Sequence, residues 1–311
     1  MTPLLVPVLV GPTASGKTAV SLHLAQHYGA SIISADSRQV YRFMDIGTAK
    51  PSAEERGRVR HYFVDERNPD QDFNAGGFGT QGRGIVDRLQ ATGTPVLVVG
   101  GSGLYVQSLI DGLFEGPGAD REVRDLLEQR LAASGLPDLL DELRRVDPAS
   151  ASRIDPTKPR RVIRALEVFH TTGRPLSALH HESKPTIPFR SCLFGLLWDR
   201  KELYDRINVR CEAMLAAGFL DEVERLASMG YGPHLNALNT VGYAEAFRLR
   251  AGMIGRGEML TLMQQNTRRY AKRQLTWFRR DQRIRWITMK RDRSPESVAD
   301  EIAAQIGRLT Q

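Results

Sequence analysis

Apolar and polar positions fall into two textures along the chain. Residues 4–10 are apolar and run into Gly11-Pro12, which predicts a short buried strand. A helical pattern follows over residues 19–28. Short apolar runs at 30–34, 61–65 and 95–99 predict three more strands, with helical patterns at 85–91 and 104–109 on either side of the last. Strands separated by helices point to an α/β fold with a mainly parallel sheet. After Gly112 the texture changes. Gly116-Pro117-Gly118 reads as a hinge, residues 121–133 and 136–146 as two charge-dense helices, and residues 160–171 as a third. Strand texture resumes at 191–198, followed by helices at 200–216 and 220–229 and a helical stretch to Arg280. A strand at 284–288 and an amphipathic helix at 295–309 complete the pattern. The expected division is an α/β core over 1–115, a helical insertion over 116–188 and a second part of the core over 189–311.

Composition narrows this picture. With 41% hydrophobic and 25% charged positions in 311 residues, the chain is ordinary globular material, which excludes a disordered, collagen-like or coiled-coil class. No apolar run reaches the roughly 18–20 residues of a membrane helix. Residues 4–10 contain Pro7 and no preceding basic residue, a poor signal peptide, so a cytoplasmic location without a membrane partner is expected. Cys192 and Cys211 have neither CxxC nor metal spacing and read as two buried thiols. A net charge of +7 suits a polyanionic partner, though a surplus of surface Arg would give the same number.

The sharpest signal is Gly11-Pro12-Thr13-Ala14-Ser15-Gly16-Lys17-Thr18, which fits G-x-x-x-x-G-K-[ST] between a predicted strand and a predicted helix. The glycines let successive N–H groups turn inward on phosphate oxygens, and the helix start adds its positive dipole end. Lys17 supplies a mobile charge and Thr18 a hydroxyl for magnesium. A di- or triphosphate is therefore expected here. Nucleotide-hydrolysing P-loop proteins carry an apolar strand ending in Asp. The strand at 95–99 ends instead in Gly100-Gly101-Ser102-Gly103, and Asp65 follows a run broken by His61 and Tyr62. Asp36, just past the second strand, belongs at the crevice that the strand ends share with the phosphate loop, as a base, a metal ligand or a turn cap.

Beyond these local signals, several segments occur in a telling order. GPTASGKT is followed by Asp36-Ser37-Arg38-Gln39-Val40-Tyr41, Met44-Asp45-Ile46-Gly47-Thr48-Ala49-Lys50-Pro51, Gly100-Gly101-Ser102-Gly103-Leu104-Tyr105, Arg160-Arg161-Val162-Ile163-Arg164-Ala165-Leu166-Glu167, Val241-Gly242-Tyr243 and Tyr270-Ala271-Lys272-Arg273-Gln274-Leu275-Thr276-Trp277-Phe278. Together they resemble the tRNA dimethylallyltransferase family from about Val8 to Trp286. The resemblance implies a P-loop NTPase-like core with a helical insertion. It also implies transfer of a dimethylallyl group from dimethylallyl diphosphate to N6 of the adenine immediately 3′ of the anticodon, with release of diphosphate. A P-loop that holds a prenyl diphosphate accounts for the missing acid.

The same resemblance suggests roles. Asp36 matches the general base, needed because the adenine amine is a poor nucleophile. Lys17, Thr18 and Mg2+ would neutralise the leaving diphosphate, and Arg210 matches an arginine that contacts it. Asp36, Ser37, Arg38 and Gln39, then Ser102 (where the family usually has Thr), Arg124, and Pro159, Arg160, Arg161, Val162 and Ile163 match tRNA-contacting positions, with the insertion gripping the anticodon stem-loop. Residues 268–291 hold ten basic residues and one acid, interleaved with aromatics, as nucleic-acid surfaces often are. Tyr270, Gln274, Trp277 and Phe278 share a helical face and are expected mostly in the core. Residues 76–84 contain five glycines where the family continues a helix, so either the helix starts near Ile85 or the segment is a flexible lip of the prenyl site. A monomer meets all these requirements. A small-molecule P-loop kinase and an RNA-binding NTPase remain the competing readings, both disfavoured by the missing acid.

Overall fold

Four of the six strands follow apolar runs that are covered on both faces, the pattern a parallel sheet requires, while the two at the sheet edges are short or alternate. The computed structural model describes residues 4–113, 120–182 and 185–310. It divides into two compact units, one formed by Met1–Ile110 with Ile187–Gln311 and the other by Asp111–Thr186. Gly116-Pro117-Gly118 and the expected boundary at 115/116 lie outside the described residues.

In the first unit the order is β1 (Leu5–Val10), α1 (Lys17–Tyr28), β2 (Ser31–Ser34), α2 (Ala53–Arg58), β3 (His61–Tyr62), α3 (Ala75–Ala91), β4 (Val96–Gly100) and α4 (Gly103–Ile110). The second unit holds α5 (Arg121–Val146), α6 (Pro148–Arg153), α7 (Pro159–Thr172) and α8 (Leu176–Glu182). The chain then returns to the first unit with β5 (Arg190–Leu197), α9 (Arg200–Ala216), α10 (Phe219–Ser228), α11 (Tyr243–Arg250), α12 (Arg256–Phe278), β6 (Ile284–Thr288) and α13 (Pro295–Thr310).

The sheet order is β3-β2-β4-β1-β5-β6 and every pairing is parallel. Val10 of β1 is in register with Gly100 of β4 and Gly195 of β5, while Ser34 of β2 is opposite Val99. The loops after β1, β2, β4 and β5 therefore leave the sheet side by side. Those are the carboxyl ends at which doubly wound sheets bind ligands.

Two expectations need correction here. The run at 61–65 forms only a two-residue strand; Phe63 and Asp65 both adopt positive φ, and Asp65 turns away to pair with Lys50 and Arg56. Asp65 is thus committed to holding a loop. The glycine-rich stretch is neither a lip nor a late helix start, because α3 begins at Ala75 under an Asn74 cap that accepts the Gly77 N–H at 2.9 Å. Two of its glycines, Gly79 and Gly82, lie where another chain segment passes. A Cβ on Gly79 would come 2.2 Å from Ser108 Oγ and 2.7 Å from the Ser108 carbonyl oxygen, and one on Gly82 would come 2.9 Å from Leu109. Each glycine weakens a helix by roughly 1 kcal/mol relative to Ala. Here the close approach of α3 to α4 offsets that cost, with Phe78 stacked on Tyr105 at 4.7 Å between ring centroids and Arg83 donating to the Ser108 carbonyl.

The second unit has its own core of Leu127, Leu139, Leu140, Leu143, Val162, Ile163, Ala165 and Leu166. The two helices read at 121–133 and 136–146 form one run broken at Gly135, whose φ of 80° and ψ of 175° leave the helical region just before Pro137.

Candidate active site

The loop between β1 and α1 closes tightly because three positions adopt backbone angles that interrupt both strand and helix: Gly11 (φ 154°), Ala14 (φ 62°) and Gly16 (φ 91°). Lys17 Nζ folds back to donate to the carbonyls of Gly11 at 3.0 Å and Pro12 at 2.8 Å. From outside, Trp198 Nε1 donates to the Ser15 carbonyl at 2.9 Å, and Arg206 Nε donates to that of Ala14 at 2.9 Å while its guanidinium lies over the Trp198 ring. The Ser15 hydroxyl is buried without a hydrogen-bond partner. A buried donor left unmatched inside such a cradle fits an incoming phosphate oxygen.

Asp36 stands at the end of β2. Its Oδ1 accepts the Arg38 N–H at 2.9 Å and that of Gln39 at 3.4 Å, an Asx turn that fixes the carboxylate by one oxygen. Next to it the Gly100-Gly101-Ser102-Gly103 turn is glycine-rich for a steric reason. A Cβ would sit 2.1 Å from the Ala35 carbonyl at Gly100, 2.3 Å from Gln274 at Gly101 and 2.2 Å from the Trp277 ring at Gly103. Ser102 Oγ accepts the Ser37 N–H at 3.0 Å and shares a hydrogen bond with Tyr270. Gln274 ties these pieces together, accepting the Thr13 N–H at 2.8 Å and donating to the Gly101 carbonyl at 2.8 Å. Gln274 and Tyr270 are expected from the sequence only on a core-facing side of a helix, and Trp198 carries no expectation of a role. A buried amide between Tyr270 and Phe278 on a helix face is the signal that identifies the first of them.

These parts line one cavity of about 840 Å3, which brings together Thr13–Thr18, Asp36–Gln39 and Arg210. Met214, Val241 and Met263 give it an apolar portion. The charge inside is lopsided. Desolvation, then repulsion from Arg210, brings the Lys17 pKa down to about 8, while Asp36 opposes that fall. Arg210 is pushed down by the same desolvation, with Asp36 again opposing it. Burial, helped by the Asp36 charge, pushes the Tyr270 phenol up to about 12, so it stays protonated near neutral pH. Two partly desolvated cations near one carboxylate make a site suited to a multiply charged anion.

The segment Met44–Pro51, whose Gly47, Thr48 and Ala49 line this cavity, is held in place by residues distant in the chain. The N–H groups of Asp45, Ile46 and Gly47 donate to the buried Glu222 carboxylate at 2.9, 2.7 and 3.1 Å, and Tyr243 Oη donates to it at 2.6 Å. Gly47 is required there because a Cβ would strike Phe219 at 2.4 Å and Tyr243 at 2.5 Å. The loop in turn offers the Thr48 and Ala49 carbonyls to Gln39 Nε2. An amide at position 222 can accept at only one end, so Glu222→Gln is expected to cost about 1–3 kcal/mol of folding stability. Urea unfolding measures this; an unchanged midpoint would show that the nest does not hold the loop.

The remaining candidates belong to the second unit. Arg160 and Arg161 are exposed on the first turn of α7, directly after exposed Lys158 and Pro159 at the first helical position. Val162 and Ile163 are 0% and 5% exposed in the core, so their side chains are not RNA-contacting groups. Arg124 donates to the fully buried Glu167 carboxylate at 2.8 Å, which assigns it a structural bond. In the first unit, Lys272, Arg273, Arg279 and Arg280 are exposed, whereas Arg268 is held by Asn208. Of the aromatics on that face, Phe278 is buried and Tyr270 lines the cavity, but Trp277 is 37% exposed because it lies off the 270–274–278 stripe.

The model of the IPP transferase family matches residues 39–281. The tRNA dimethylallyltransferase of Pelotomaculum thermopropionicum is 42% identical over 298 residues, 95% of this chain and 94% of that one. That of Salinibacter ruber is 46% identical over 296 residues, covering 94% and 89%. Among solved structures, the full-length tRNA isopentenylpyrophosphate transferase from Bacillus halodurans superposes with a TM-score of 0.71 at 35% identity, over 99% of this chain and 98% of that one. A eukaryotic dimethylallyltransferase acting on tRNA gives 0.83 at 25% identity, over 98% and 79%.

Proposed function

The chain belongs to the IPP transferase family, and from that premise we propose that it takes the dimethylallyl group from dimethylallyl diphosphate and attaches it to N6 of the adenine immediately 3′ of the anticodon. It is a prenyltransferase that transfers a dimethylallyl group to tRNA, as its relatives are. The finer reading rests on one observation: a phosphate loop with two desolvated cations, Lys17 and Arg210, shares a single cavity with the Asp36 carboxylate.

In that reading the diphosphate lies along the N–H groups of Gly11–Thr18, with Lys17 and Arg210 on its oxygens. The dimethylallyl chain lies toward Met214, Val241 and Met263. The adenine amine attacks the allylic carbon, the carbon–oxygen bond breaks with its electron pair going to diphosphate, and Asp36 takes the amine proton. Among the described residues no group of three His, Cys, Asp or Glu side chains could hold a metal. Magnesium keeps waters and phosphate oxygens and needs few protein ligands, so the Thr18 hydroxyl plus diphosphate fits it. When bound, that ion supplies charge neutralisation to the leaving group.

On the RNA side, Ser37, Arg38, Gln39 and Ser102 border the entrance for the base, and Lys158, Arg160 and Arg161 meet the anticodon stem-loop. Three cations at the positive end of a helix disfavour the helix itself and favour a phosphate partner. We assign all of these roles to a single copy of the chain, acting as a monomer. No helix among the described residues is long and apolar enough to cross a membrane, and we place the reaction in the cytoplasm.

The test is regiochemical. Labelled dimethylallyl diphosphate, magnesium and unmodified tRNA are incubated with the protein, and the RNA is digested to nucleosides. The label is expected in N6-dimethylallyladenosine from the position 3′ of the anticodon. Label at another nucleoside or another adenine would overturn the assignment.

A further inference from the structure

Phe43 is a bulky residue at φ 67°, a backbone region that side chains of its kind rarely occupy, and it is 41% exposed. Packing therefore does not explain it. The strain persists because both flanks are fixed: the Arg42 N–H donates to the Arg67 carbonyl at 2.8 Å, and beyond the fully buried Met44 the Glu222 nest grips Asp45–Gly47. Backbone held in an unfavourable region to display an apolar ring is a feature found at functional sites.

Phe43 faces Tyr231, on the loop after α10. Their ring centroids lie 6.4 Å apart with the planes 23° from parallel. Centroids at this distance belong to two near-parallel rings in offset contact, so a nucleobase is admitted when the exposed Phe43 ring swings away from Tyr231 and the base takes its place between the two faces. Arg42, next to Phe43 in the chain and exposed, is aimed by the Asp65 carbonyl and Asn68, a cation within the same segment for a backbone phosphate. The segment is continuous with Asp36–Gln39, which line the cavity.

We propose that Phe43 and Tyr231 form a stacking clamp for one unpaired nucleobase of the tRNA substrate, next to the base that enters the cavity. The proposal rests on the tRNA-transfer reading above. Stacking suits this place because every base offers a π face to an aromatic ring, whatever its sequence. An RNA base is favoured over a protein side chain by the flanking Arg42 and by continuity with the cavity that takes the target base.

The experiment uses full-length protein and tRNA carrying 2-aminopurine in the anticodon loop beside the target adenine. Wild-type protein is expected to quench its fluorescence on binding. Phe43→Gly accepts φ 67° without strain, so its thermal midpoint holds or rises, yet its tRNA Kd is expected to rise about tenfold with the quench lost. Phe43→Trp is expected to restore both. Tyr231→Ala is expected to weaken binding similarly and to add little on top of Phe43→Gly, while affinity for dimethylallyl diphosphate stays unchanged. A Phe43→Gly Kd within twofold of wild type, quench intact, would overturn the clamp. Failure of wild-type protein to label tRNA would instead overturn the function on which it rests.

Discussion

Asp36→Ala is expected to slow prenyl transfer by about 10²–10⁴-fold, the usual contribution of a positioned general base, while dimethylallyl diphosphate still binds. The expectation follows from geometry. The N–H groups of Arg38 and Gln39 hold one carboxylate oxygen and thereby orient the other. Asp36 is also the acid whose field acts on Lys17, Arg210 and Tyr270 together, which places it among the groups that receive the donor. Losing that negative charge strengthens the positive potential of the cavity, so donor affinity should hold or improve. A variant with wild-type kcat would remove Asp36 from the chemistry. One with normal kcat but a raised tRNA KM would make it a docking group only.

The second large effect concerns Lys17 and pH. In the free protein its pKa is about 8, and a bound diphosphate must raise it. Between the free and bound values, binding takes up a proton. Affinity for dimethylallyl diphosphate should therefore be level below pH 8 and fall above it, by at most tenfold per pH unit. Lys17→Met is expected to flatten that profile and weaken binding about 10²-fold. The linkage to folding has a matching sign. The pKa lies below the ordinary 10.5, so from pH 8 to 10.5 the unfolded chain binds the extra proton and the folded state gains stability as pH rises. Below pH 8 the charged, desolvated Lys17 costs the ligand-free fold on the order of 1–3 kcal/mol. Lys17→Met should accordingly raise the melting temperature without ligand while impairing binding. Calorimetric titration between pH 6.5 and 9.5, with melting curves in the same buffers, reads both effects.

The parts of this molecule that were legible in the sequence are those whose physics is local. The phosphate loop has fixed spacing because its backbone must turn at set positions, and β4 is apolar at every position because both its faces are covered. The end of a strand in an α/β sheet has a known neighbourhood, which puts Asp36 at the crevice, but only the family resemblance singles it out as a base. What escaped depends on distant segments. Helix propensity counts the glycines of α3 as breakers, but Ser108 and Leu109, far along the chain, require two of them, Gly79 and Gly82, to be small. Glu222 reads as one more acid on a surface helix, yet it binds backbone 177 residues away at Asp45. Val162 and Ile163 sit in a basic segment and still face inward, because α7 turns one side to the core whatever its neighbours contact.

The central claim is that this phosphate loop serves a leaving diphosphate and hydrolyses no nucleotide. It is tested most directly by counting products with purified protein, dimethylallyl diphosphate, magnesium and unmodified tRNA, in the absence and presence of ATP. One diphosphate is expected per dimethylallyl group on the RNA, with no diphosphate released without RNA and no phosphate released from ATP. Prenyl transfer that required ATP, or RNA-stimulated phosphate release from ATP without labelling of the tRNA, would contradict that claim.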